Sequence, residues 1–174
     1  MGLGNPDFSA RVGFRPSQMW NFGLSASDGA YFRSEAQATL PRGRDIDDYR
    51  QLVLGQDVSF AWHHLQLWAE FYEARFQVPR VGDADTFAYY FEAKYKFTPQ
   101  LFGAFRWNQQ LFGTVSDGAG GSIRWSQNLG RVDIAAGYRF TSHTQLKLQY
   151  SFQKETSGPD NDNHLIAAQF TLRF

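Results

Sequence analysis

Nine segments of this chain, at 8–14, 20–26, 52–62, 65–71, 87–97, 101–111, 132–140, 146–152 and 166–174, carry apolar residues at every second position. Successive side chains of a β-strand point to opposite faces, so this period gives each segment one apolar and one polar side. Their lengths approach the roughly 10 residues that a tilted strand uses to cross a bilayer. No helical period competes with them, and no run comes near the ~18 consecutive apolar residues that a spanning helix requires. The period predicts an all-β, antiparallel up-and-down transmembrane β-barrel, with residues 1–174 forming a single domain.

The connections support this. Short ones (15–18, 63–64, 98–100 and 141–144) alternate with long ones rich in Gly, Asp, Ser and Pro (27–48, 77–85, 113–121 and 154–163). Aromatics flank the short turns in FRPSQMW, KFTPQLF and RFTSHTQL. Transmembrane barrels have this asymmetry, with tight periplasmic turns and longer external loops. Aromatic residues make up 17% of the chain although its mean hydropathy is only −0.46. Girdles at two water interfaces account for such a surplus, with Trp20, Trp62, Phe97 and Phe140 on the short-turn side. A soluble ligand-binding barrel would instead bury its rings and have no reason to level them beside turns.

The last eleven residues, HLIAAQFTLRF, put Ile166, Ala168, Phe170, Leu172 and Phe174 on one face and end on an aromatic. This ending resembles the C-terminal strand of bacterial outer-membrane β-barrel proteins of the porin-like type. The resemblance implies an outer-membrane location in a Gram-negative envelope, with Phe170, Leu172 and Phe174 as a signal for the barrel assembly machinery. It also implies contact with outer-membrane lipid, passive passage of small hydrophilic solutes and trimerisation of the barrel.

With the last strand descending to the periplasm, nine strands make the first descend as well. Antiparallel closure calls for an even number, so the chain is expected to be the C-terminal portion of a larger barrel. MGLGNPDFS has neither the charged start nor the apolar core of a signal peptide, which agrees with a mature or truncated form. The competing reading takes 30–40 as a tenth strand and makes a complete small barrel. Gln56 is the residue that fits least, because its amide falls on the apolar face near mid-membrane. A bulge at Gly55 would turn it inward.

Opposite the apolar sets lie Arg11, Arg15, Asp57, Glu70, Glu92, Lys94, Arg106, Asp133, Arg139 and Lys147, the expected pore-lining residues. Lys96, Asn108, Gln110, Gln149 and Arg173 share that side. Bases outnumber acids among them, which tilts the expected solutes toward anions. A cross-strand charge ladder of Asp57, Glu70, Glu92, Lys94 and Arg106 filling a narrow interior is an equally weighted use of the same residues. The chain has 17 Lys and Arg against 17 Asp and Glu, so it lacks the basic excess that nucleic-acid binding uses. It has no cysteine, which suits an exported chain without disulfides.

Other chemistry is weaker in the sequence. Asp45-Ile46-Asp47 and Asp162-Asn163-His164 have the spacing of the acid pair and Asp-x-His pair of omptin-like surface proteases, but such short patterns arise readily in acidic loops. No serine motif accompanies the histidines. His63 and His64 are adjacent and point apart in extended backbone, so they read as interfacial turn residues rather than metal ligands. GAGG at 118–121 lacks the Lys-Ser/Thr of a phosphate loop and reads as a flexible external loop. No catalytic residue, metal or cofactor is expected.

Overall fold

The computed structural model describes residues 7–156 and 162–173. Nine strands form one antiparallel sheet: β1 (Phe8–Phe14), β2 (Trp20–Ala30), β3 (Arg50–Trp62), β4 (Leu65–Val78), β5 (Gly82–Lys96), β6 (Leu101–Phe112), β9 (Leu129–Arg139), β10 (Thr144–Glu155) and β11 (Asp162–Leu172). A small hairpin of β7 (Thr114–Ser116) and β8 (Ser122–Arg124) lies between β6 and β9. Each large strand pairs with its neighbour in sequence order, so the sheet is a meander. The fold is all-β and antiparallel. Among the described residues β1 and β11 remain edges and the sheet does not close.

Every apolar segment falls on one of these nine strands. Registers keep the apolar sets on one face throughout: Val12 faces Leu24, Phe60 faces Leu67, Phe91 faces Trp107, Ile134 faces Tyr150, and Tyr150 faces Ile166. Gln56 sits on that face between Leu24 and Phe71, paired in continuous register. The bulge at Gly55 that could have turned Gln56 inward is absent, because Gly55 itself pairs with Ser25 and Tyr72 and needs no extra residue.

The segment 30–40 is not a tenth strand. Ala30 ends β2, and Ser34–Thr39 forms a 3-10 turn, followed by a second at Ile46–Asp48. Two loops differ from expectation. The expected long connection 77–85 shrinks to residues 79–81, since β4 and β5 pair out to Val78 and Gly82. Arg80 and Gly82 take positive φ values of 65° and 99° to close it. The loop at 113–121 belongs to the β7–β8 hairpin, whose turn contains Gly118 and Gly120 at φ 76° and 91°. Asp117 stiffens it by accepting hydrogen bonds from the backbone N–H groups of Ala119 and Gly121, both at 2.8 Å. These two bonds hold the Asp117 carboxyl below the usual carboxylate range.

The burial pattern is inverted relative to a water-soluble sheet. Phe91, Ile134 and Phe170 are 42%, 55% and 63% exposed. The buried positions among the described residues lie almost entirely on the polar face and are small or polar: Gly23, Gly29, Gly55, Ala84, Ala135, Gly137, Asp133 and Ser151. Phe102 is the one large ring among them. Ala69 alone is buried on the apolar face.

That apolar face is bounded at both ends. At the short-turn end Trp20 stacks on Phe22 and tilts against Phe60, Tyr95 meets Phe97 at 5.3 Å, and Tyr138 meets Phe140 at 5.1 Å. At the loop end the first charges are ion pairs, Arg50 with Asp28, Arg75 with Asp85 at 2.8 Å and Lys154 with Asp162 at 4.0 Å, with Glu73 one row lower. Between these limits run eight to twelve residues, which at ~3.3 Å per residue and a tilt near 40° make an apolar band roughly 20–30 Å tall.

Candidate functional site

The polar face is crossed by rows of side chains that the register brings level. One row aligns Gly23, Asp57, Glu70, Tyr90, Asn108 and Arg131. Asp57 and Glu70 are direct cross-strand neighbours, an arrangement of like charges that needs compensation. Arg11 supplies it for Asp57, reaching over β2 to make a 2.7 Å ion pair. It can do so because Gly23 lies beneath; a Cβ there would run into both side chains. Glu70 accepts a 2.7 Å hydrogen bond from the Tyr72 hydroxyl and has Tyr90 as its direct neighbour on β5.

The next row aligns Trp68, Glu92, Arg106, Asp133 and Ser151. Arg106 Nε donates to Glu92 at 2.6 Å, and its guanidinium lies 4.4 Å from the centroid of the Tyr90 ring. Asp133, only 9% exposed, is the best-connected carboxylate. It accepts from Arg131 Nε at 2.8 Å, Asn108 Nδ2 at 3.0 Å, Gln149 Nε2 at 3.2 Å and the Ser151 hydroxyl. Buried charge is tolerated where it is paired and hydrogen-bonded, and here Oδ1 accepts three of these bonds and Oδ2 the one from Asn108. Glu92, Arg106, Asn108, Arg131, Asp133 and Gln149 line a polar hollow of about 280 Å³ together with Lys147.

Toward the short turns the face changes character. Lys94 stands one row below Glu92, with its ammonium 4.2 Å from the centroid of the Phe102 ring rather than against a carboxylate. Phe102 in turn occupies the space above Gly137. Lys96 and Lys147 are level with Phe102, and Arg139 lies one row further.

Thus nine of the ten expected lining residues lie on the polar face of strands. Arg15 does not: it follows β1 in a turn, where its guanidinium donates to the Gln18 carbonyl. The expected ladder divides, with Glu92 and Arg106 paired, Asp57 and Glu70 opposed, and Lys94 on a ring. The sequence reading passed over Arg131 and Ser151, the partners of Asp133, although both share its parity. It also passed over aromatics on the polar side. Near the loops Phe76 and Phe112 pack on Trp125, which meets Phe112 edge-on at 4.9 Å and donates from Nε1 to the Asp85 carbonyl at 2.7 Å, and Tyr31 packs on the Phe76 ring. Burial raises the Tyr31 hydroxyl above its ordinary range, and it donates to the Gln77 carbonyl at 2.8 Å.

Phe170 and Leu172 project from the apolar face of β11, while Phe174 lies outside the described residues. The two protease-like patterns do not share a loop cluster. Asp45 caps the 3-10 turn at Ile46–Asp48, which packs near β2, whereas Asp162 and His164 belong to the edge strand β11. His164 Nδ1 is 2.7 Å from the Tyr150 hydroxyl. His63 and His64 form the two-residue turn between β3 and β4, with His63 at φ 49°. No cluster of metal-ligating side chains occurs among the described residues. A scan against protein-family models finds no match for the chain, and a search of curated proteins finds none either.

Proposed function

We propose that this sheet is part of a porin-like outer-membrane barrel through which small hydrophilic solutes, anions by preference, diffuse passively. The observation that carries this reading is the inverted burial. An exposed apolar band bounded by aromatics on one side and ion pairs on the other suits a hydrocarbon surround of ~25 Å, and the satisfied polar face suits an aqueous bore.

Strand parity bears on closure. In an odd-numbered antiparallel meander the two edge strands run the same way, so β1 and β11 cannot pair antiparallel with each other. Backbone groups in hydrocarbon must all be paired. An odd number of further strands between these edges would satisfy them, which supports the sheet being the C-terminal portion of a larger barrel. Trimer formation and recognition by the assembly machinery rest on the resemblance of the last strand alone.

Planar-bilayer recording of the full-length protein tests the proposal. Discrete conductance steps with a reversal potential favouring chloride are expected. Electrical silence, with peptide cleavage that His164→Ala abolishes, would replace the channel with a surface protease.

A further inference from the structure

The chain is neutral overall, but its charge is not evenly spread along the strand axis. Segments 12–27, 58–69, 93–105, 134–149 and 163–173 contain no Asp or Glu. Four of these include the short turns and the fifth is the last strand, so pairing in register stacks them at one end of the sheet. Six bases occupy that end: Arg15, Lys94, Lys96, Arg139, Lys147 and Arg173. None makes an ion pair among the described residues. Lys94 feels the fields of Lys96, Arg139 and Lys147 together, opposed by that of Glu92 one row above. All 17 carboxylates fall outside those segments, which leaves eleven bases to accompany them. Among the described residues Asp57, Glu70, Glu92 and Asp133 lie mid-strand, where Asp57, Glu92 and Asp133 are ion-paired with Arg11, Arg106 and Arg131, and the others lie nearer the loops.

We infer that the bore is electrically polarised and rectifies ionic current, with an anion-collecting vestibule at the short-turn end and a cation-collecting mouth at the loop end. This rests on the channel reading above. The physical reason is general. A positive wall enriches anions and a negative wall enriches cations within about one Debye length, ~10 Å at 0.1 M salt, comparable to the radius of a narrow bore. When the loop side is positive, chloride is drawn in through the basic end and potassium through the acidic end, so both carriers fill the pore. Opposite polarity empties both. Current is then larger with the loop side positive.

The test is a current–voltage curve of the full-length protein in a planar bilayer at 0.1 M and at 1 M KCl. These 174 residues contribute no cysteine, so Ser142→Cys, in a full-length background with any other cysteine replaced by serine, puts the sole thiol of each protomer at a short turn. The chamber from which a charged, impermeant thiol reagent alters the current identifies the short-turn side. At 0.1 M the currents at opposite voltages are expected to differ about twofold or more, larger with the loop side positive. At 1 M, where the Debye length falls to ~3 Å, the ratio should approach one. The quadruple variant Lys94→Gln, Lys96→Gln, Arg139→Gln, Lys147→Gln should flatten the 0.1 M curve and shift selectivity toward potassium. An open channel with a symmetric curve at 0.1 M, or rectification of the opposite sense, overturns the inference and leaves the channel reading standing. Absence of any conductance overturns both.

Discussion

The two faces of this sheet share every backbone bond yet solve opposite problems. On the apolar face, large side chains such as Phe91 and Ile134 lie open, and neighbours touch mainly ring to ring along and across strands. On the polar face, burial is achieved with glycine, alanine and charges that are paired or capped. In water the first face would be a severe liability, since exposed contiguous apolar area of this extent drives association. In hydrocarbon it costs nothing. The difference teaches what the proposed membrane setting demands of one sequence, a face for each of two solvents, and experiments can break that proposal face by face.

The largest effect should come from charging the apolar face. Ile134→Lys places an ammonium near the middle of the band and is expected to destabilise the folded protein in lipid by about 2–4 kcal/mol, measured by reversible denaturant unfolding in vesicles. A change near zero would mean that this face does not meet hydrocarbon. On the polar face, Asp133→Ala removes four hydrogen bonds and strands Arg131. A loss of about 1.5–3 kcal/mol is expected in the same assay, because hydrogen bonds to charged groups in this range are lost with a poorly solvated partner left behind. Gly23→Val should cost about 1–3 kcal/mol through crowding against Arg11 and Asp57. Adding Arg11→Ala should recover part of it, a coupling that a mere loss of β2 flexibility would not give.

The smallest effect concerns the β7–β8 turn and is read from pH. Because the folded Asp117 carboxyl is held below its ordinary range, its contribution is present above the unfolded carboxylate pKa and lost as pH falls through the lower, folded value. Amide exchange at Ala119 and Gly121 should therefore stay protected at mildly acidic pH and open only below it. Asp117→Asn should remove the pH dependence of that local opening while the rest of the sheet is unchanged.

Much of this was legible in the residues. Period-two patterning assigns Phe91 and Glu92 to opposite faces without any coordinates, and turn-flanking aromatics such as Trp20 and Phe140 announce one end of the band. The partners of Asp133 were equally within reach, since Arg131 and Ser151 follow from the same parity, and the acid-free segments are plain once the turns are aligned. Other features were not. Gln77 to Asp85 reads as a polar loop, yet pairing between β4 and β5 continues through Gln77 and Asp83 because extended backbone gains ladder bonds wherever its neighbour also stays extended. Trp125 lies between the expected loop and the next apolar segment, and only the β7–β8 hairpin brings it back to Phe112.

By itself, then, the sequence determined which residues share a face and where the short turns fall, because a strand's side-chain period is fixed by backbone geometry alone. Which charge meets which was decided only in the tertiary structure. Sliding one strand by two residues preserves every face assignment, yet it would part Arg106 from Glu92 and Asp133 from Ser151. Pairing of whole neighbouring strands sets that register, and local pattern does not encode it.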